Sequence, residues 1–148
     1  MSLKLGEFLK IDTQKIAIDD AEEYKISGVQ SYGKGVVIRR TVLGKELTMK
    51  QYQVIKENQL MWCKVDTKSG AFGVTKDVHV GTLASTNMAL ANIDTTKVLP
   101  DFLESIFRIK HFHESITKAS SGSTNRKYLT PKQLFENILT IINKCIKF

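Results

Sequence analysis

Four short stretches of this chain gather cations, hydroxyls and glycines closely enough to hold an anion. The first is Tyr32-Gly33-Lys34-Gly35-Val36, followed by Arg39 and Arg40. Two glycines around a lysine permit a tight turn and let backbone N–H groups approach a negative group. The second is Lys64-Val65-Asp66-Thr67-Lys68-Ser69-Gly70-Ala71-Phe72-Gly73, where lysines and small residues border an aromatic. The third, Gly81-Thr82-Leu83-Ala84-Ser85-Thr86-Asn87, reads as a strand ending in hydrogen-bonding side chains. The fourth is a donor-rich loop, Ser121-Gly122-Ser123-Thr124-Asn125-Arg126-Lys127. Lys, Arg, Ser, Thr, Asn and backbone N–H groups are the usual contacts to phosphate. Each stretch also has a plainer explanation. Tyr32 and its glycines can close a hairpin, Phe72 can be core, Asn125 can cap a turn, and Arg39 can pair with Glu46. No one of the four is specific alone.

Covalent and metal chemistry find less support. The chain has no GxxxxGK[ST] phosphate loop and no GxGxxG fingerprint. Methyltransferases acting on base amino groups need an Asn/Asp-Pro-Pro-aromatic loop, and the only prolines are Pro100 and Pro131. His111 and His113 fall on different helix faces, and His79 is far away in sequence, so the histidines make a poor metal set. Asp66-Thr67-Lys68 matches the Asp-x-Lys end of a metal-dependent nuclease site. It would need Glu46 or Glu57 as a second carboxylate, and Lys68-Ser69-Gly70 looks like a turn. No cofactor is expected.

The elements that must carry these stretches come in two kinds. The first ninety residues read as strands and turns: 24–29, 35–39, 60–65, 70–74, 78–83 and 88–93. The remainder reads as helix. Pro100 suits a first helical position, with Asp101 and Glu104 near the positive end of the dipole. Phe102, Ile106, Ile109, Phe112 and Ile116 then form one apolar stripe. Thr130-Pro131-Lys132-Gln133 is a capping-box start for a helix over 131–147. Leu134, Phe135, Ile138, Leu139, Ile142, Cys145 and Ile146 give that helix a wide apolar face, for packing on the sheet or on a partner helix. The expected fold class is α/β (α+β): a mixed, mainly antiparallel sheet in the N-terminal two-thirds, with C-terminal helices packed on it. A length of 148 residues suits a single domain, 1–148.

Lys and Arg number 22 against 15 Asp and Glu, a net charge of +7 that points to a polyanionic partner, nucleic acid before membrane. The last third is the most basic, with eight cations against four acids. Cys63 and Cys145 lie in apolar contexts outside any zinc spacing, as suits buried thiols in a reducing cytoplasm. Leu3 to Ile11 is too short and too charged for a signal peptide, and no run has the roughly 18 apolar residues that span a bilayer. The protein is expected to be soluble and cytoplasmic.

As an ordered set, the stretches resemble the target-recognition domain of type I restriction-modification specificity (S) subunits. The matching residues are Leu5-Gly6-Glu7, the Tyr32–Val36 run, Lys64 through Val74, and Ser120 through Pro131. The family pattern follows the same order: Leu-Gly-Glu, Tyr-Gly-x-Gly, Lys-(Ile/Val)-Asp leading to Gly-Ala-Phe-Gly, then Gly-(Thr/Ser)-Thr-Asn-Arg. The resemblance implies a recognition domain that reads one half of a bipartite duplex DNA target and is not itself an enzyme. Methyltransferase (M) subunits and, through them, the restriction (R) subunit would supply methyl transfer, ATP-driven translocation and cleavage. Family members carry two such domains separated by long spacer helices. This sequence has one, and stops where a spacer would begin. A fragment, a natural half-subunit and a decayed gene all fit. A half-subunit would regain two-fold symmetry by dimerising or by pairing with a second half-subunit, helix 131–147 being the candidate contact.

On this reading Lys34, Arg39, Arg40, Lys64, Lys68, Arg126 and Lys127 neutralise phosphates. Ser123, Thr124 and Asn125 add neutral hydrogen bonds, and Tyr32 sits among them. Two other readings remain: a protein-interaction fragment that binds methyltransferase subunits without reading DNA, and the nuclease around Asp66.

Overall fold

β-Branched and aromatic residues carry the first part of the chain into two sheets. The computed structural model describes residues 5–12, 14–65, 71–109 and 130–137. A helical turn α1 (Leu5–Phe8) leads into β1 (Leu9–Ile11), β2 (Lys15–Ala17), β3 (Glu23–Gln30) and β4 (Gly35–Leu43). β5 (Gln51–Val54), β6 (Gln59–Cys63), β7 (Phe72–Val74), β8 (Leu83–Ala84) and β9 (Met88–Ile93) follow. Two α-helices, α2 (Pro100–Ile106) and α3 (Pro131–Asn137), follow, and 3-10 turns lie at Gly44–Glu46 and Asp77–His79.

One sheet has the order β1-β9-β6-β7, antiparallel throughout. The other has the order β2-β5-β8-β3-β4, antiparallel except where Ile26 of β3 meets Leu83 of β8 in parallel. The fold is therefore mixed α+β and mainly antiparallel, as the sequence pattern predicts.

The main core lies under the first sheet. Trp62, Phe72 and Phe107 are buried, and their rings stack in series, with centroids 6.4 Å apart for Trp62–Phe72 and 4.5 Å for Phe72–Phe107. Phe72 is thus a core residue. Losing its ring would cost about 4 kcal/mol. Leu103, Ile106 and Leu134 join the same cluster, so both C-terminal helices pack against this sheet. The sheets meet where β7 crosses the start of β4. A Cβ on Gly73 would lie 2.7 Å from the Val36 nitrogen, so only glycine lets the two backbones approach so closely.

Thr130 and Gln133 form the anticipated capping box. The Thr130 N–H donates to Gln133 Oε1 at 2.9 Å, and the Gln133 N–H donates to Thr130 Oγ1 at 3.3 Å. Pro100 takes the first turn of α2. That helix ends at Ile106, and Ile109 is exposed, so Ile109 does not join the buried stripe that its spacing suggests. Residues 110–129 and 138–148 lie outside the described residues, as do Phe112, Ile116 and the end of the 131–147 helix.

Of the strand expected over 78–83, only Leu83 is extended, as the start of β8. Asp77–His79 is a single 3-10 turn, and Gly81 has a φ of +82°. Val78 and Val80 face solvent while His79 is buried, which inverts the apolar alternation. Hydrogen bonding decides the matter: His79 Nδ1 accepts the Lys76 N–H at 2.9 Å, and the Thr82 hydroxyl donates to the His79 carbonyl.

Candidate nucleic-acid interface

A break in strand register brings two consecutive arginines to one cleft. Along β3 and β4, Ile26 pairs with Arg40 but Ser27 pairs with Ile38, leaving Arg39 as the extra residue of a β-bulge. In a regular strand neighbouring side chains point to opposite faces. A bulge re-aims them, and here Arg39 and Arg40 line the same cleft of about 430 Å³, together with Ser27, Tyr52, Ser85 and Met88.

Both arginines are exposed. The pairing of Arg39 with Glu46 allowed by the sequence does not occur. Glu46 accepts the Leu43 N–H at 2.8 Å, while Arg39 Nη2 donates to the Val29 carbonyl at 2.7 Å. Among the described residues no carboxylate pairs with either arginine.

Met88 also lines a second, adjoining cleft of about 200 Å³, whose rim carries Lys15, Lys64 and Thr86. The acid in this cleft, Asp12, is already committed. Its Oδ2 meets Lys56 Nζ at 2.8 Å and accepts from Gln59 Nε2 at 2.9 Å. Burial works against that carboxylate. The Lys56 bond, the Gln14 N–H, the Lys56 charge and Gln59 together outweigh it and hold the pKa below the usual 3.8. Buried Gln53 fixes the ridge between the clefts: its amide donates to the Ser85 and Met88 carbonyls at 2.8 and 2.7 Å.

Tyr32 and Lys34 line neither cleft. Their turn is tied to the end of α2, where Arg108 Nε donates to the Gly33 carbonyl at 3.1 Å. Tyr32 is 67% exposed and has a left-handed φ of 61°, strained for a residue with a Cβ. Of the remaining sequence candidates, Lys68, Ser123, Thr124, Asn125, Arg126 and Lys127 lie outside the described residues, as do Asp66, His111, His113 and Cys145. Lys15, Tyr52 and Met88 carry no signal in residue type. The hydroxyl-rich run 81–87 was the one available hint, for Ser85 and Thr86. Among the described residues no group of three or more His, Cys, Asp or Glu could hold a metal, and no helix is long and apolar enough to cross a membrane.

A two-sheet fold of this kind is shared with HsdS specificity subunits of type I restriction-modification systems. The HsdS subunit from Thermoanaerobacter tengcongensis superposes with a TM-score of 0.69 at 14% identity, over 93% of this chain and 36% of that one. A chain from a type I R-M system, solved for its complex assembly and conformational transition, gives 0.71 at 14% identity with the same coverages, 93% and 36%. The chain thus spans about a third of the length of these structures. No protein-family model and no curated protein matches it.

Proposed function

We propose that this chain is a DNA target-recognition domain that reads one half of a bipartite duplex sequence as part of a type I restriction-modification specificity protein. The observation that carries this reading is the bulge that turns Arg39 and Arg40 into one cleft where, among the described residues, no carboxylate neutralises them. Two unpaired cations beside hydroxyls and a tyrosine suit a phosphate backbone. Lys64 and Lys15 in the adjoining cleft extend the basic face. The shared fold supplies the context in which such a face meets DNA.

The contact set comprises Arg39, Arg40 and Lys64, with Tyr32 and Lys34 on the turn between β3 and β4, and, on sequence grounds alone, Lys68, Ser123, Thr124, Asn125, Arg126 and Lys127. The domain is non-catalytic and cytoplasmic. Its partners are duplex DNA, a methyltransferase subunit and, through that subunit, the restriction subunit. A second half-subunit or a second copy completes the bipartite target.

Fluorescence anisotropy with duplex DNA over a salt series tests the reading. With about five phosphates contacted, log K should fall against log[salt] with a slope near −4 to −5. Binding that ignores salt would remove the proposal.

A further inference from the structure

Most exposed arginines sweep out a wide cone, but Arg39 is parked. Its side chain crosses β3 directly over Gly28. A Cβ there would lie 2.9 Å from the guanidinium Cζ and closer still to Nε. Nη2 is held by the Val29 carbonyl at 2.7 Å. The guanidinium therefore has a set position while its remaining N–H donors are left for the cleft. Arg40, its neighbour on the bulge, has no side-chain hydrogen bond to any described residue.

The two arginines thus differ in what they can recognise. A phosphate contact is mainly charge and tolerates a roaming side chain. Bidentate recognition of a base edge requires a fork of fixed direction, and the commonest such contact is Arg to guanine O6 and N7. We infer that Arg39 reads a guanine in the major groove, with Gly28 as the positioning residue that sets its fork, while Arg40 holds phosphate. This rests on the DNA-binding reading above and adds to it which side chain reads and which base is read.

Gly28 offers an unusual probe. The atoms that a new methyl would strike are the far end of a side chain, so G28A displaces the Arg39 fork without removing a charge and at little cost to the fold. The full-length chain, as wild type, G28A, R39K and R40A, would be used to select from a random-sequence duplex library, and each selected site would be titrated over a salt series. The wild type should enrich one G·C pair. G28A and R39K should each lose that preference by roughly tenfold, with the salt slope retained because the charge count is unchanged. R40A should weaken all sequences alike and reduce the slope by about 0.9. Replacing the selected guanine with 7-deazaguanine, which lacks the N7 acceptor, should weaken the wild type and leave R39K unaffected.

The inference is overturned if the wild type selects no guanine, if G28A and R39K keep the preference, or if R39K weakens every sequence equally. Each of these outcomes leaves DNA binding standing. Absence of any salt-dependent duplex binding by the wild type would instead remove the DNA-binding reading and the inference together.

Discussion

Two basic clusters in this molecule have opposite fates. Beside α2, Lys76 meets Glu104 at 3.2 Å and Asp101 at 3.3 Å, and Arg108 approaches Glu104 at 4.0 Å. Glu104 is buried and also accepts the Val74 N–H at 3.4 Å, so it ties α2 to β7. Burial opposes the Lys76 charge, but Glu104 and then Asp101 outweigh it and raise the pKa above 10.5. On β4, Arg39 and Arg40 have no such acids among the described residues. The first cluster is consumed in holding the fold together, and the second keeps its charge for something outside. Residue type does not separate the two. The carboxylates that folding brings alongside do.

The largest expected effect separates the clusters directly. Glu104→Ala would strand a buried N–H and uncouple two cations. Because those cations are about half exposed, the loss should be about 2 kcal/mol and not the full value for a buried pair. Urea unfolding would measure it, and DNA affinity should stay within about twofold. A loss of DNA binding with stability unchanged would reverse the assignment. Next comes the double variant Arg39→Ala/Arg40→Ala. Its affinity should fall about tenfold or more and its salt slope by about 0.9, for the one phosphate contact assigned to Arg40, with stability within about 0.5 kcal/mol of wild type.

Tyr32 tests on which side of this division its turn belongs. Tyr32→Gly should relieve the left-handed strain and raise stability by up to about 1 kcal/mol. If DNA affinity falls while stability rises, the exposed ring belongs with the outward-facing cluster. If only stability changes, the turn belongs with Arg108.

The smallest effect concerns His79, which faces Lys76, Glu104 and Asp77. Burial, with the Lys76 charge, lowers its pKa below 6.5, more than the Val36 backbone bond and the nearby acids raise it. The unfolded chain therefore takes up this proton before the folded one. The contribution is fully present above pH 6.5 and is lost as pH falls from there through the folded value, with a slope below about 1.4 kcal/mol per pH unit. Unfolding midpoints at pH 7.5 and 5.5 would show it, while salt-dependent binding through Arg39 and Arg40 should be indifferent to the same change.

Much of the fold was legible because its signals are local. The Thr130–Gln133 capping box, Pro100 and the long strands β3, β4 and β9 announce themselves in residue type. The short strands β1, β2 and β5 do not. Three or four residues carry too little periodicity, and these segments are extended because a distant partner pairs with them, as Lys15 does with Gln53. The site was legible only in part, for the same reason. Arg39 and Arg40 stand out as a dibasic pair, but their shared direction comes from a one-residue register slip against β3. Lys15 and Tyr52 reach the clefts through tertiary pairing alone. The predicted strand at 78–83 failed because a buried histidine with good hydrogen bonds outcompeted two valines.

The placement of β1 also governs how the molecule can be made. Leu9 lies opposite Ile93 at the edge of the first sheet. During synthesis β1 must wait, unpaired, until almost all of both sheets has left the ribosome. Pairings this remote slow folding and leave sheet edges open in the meantime. A chain interrupted just after Met88 would hold every residue of the arginine cleft and still lack all but the first residue of β9, the strand that joins β1 to the sheet.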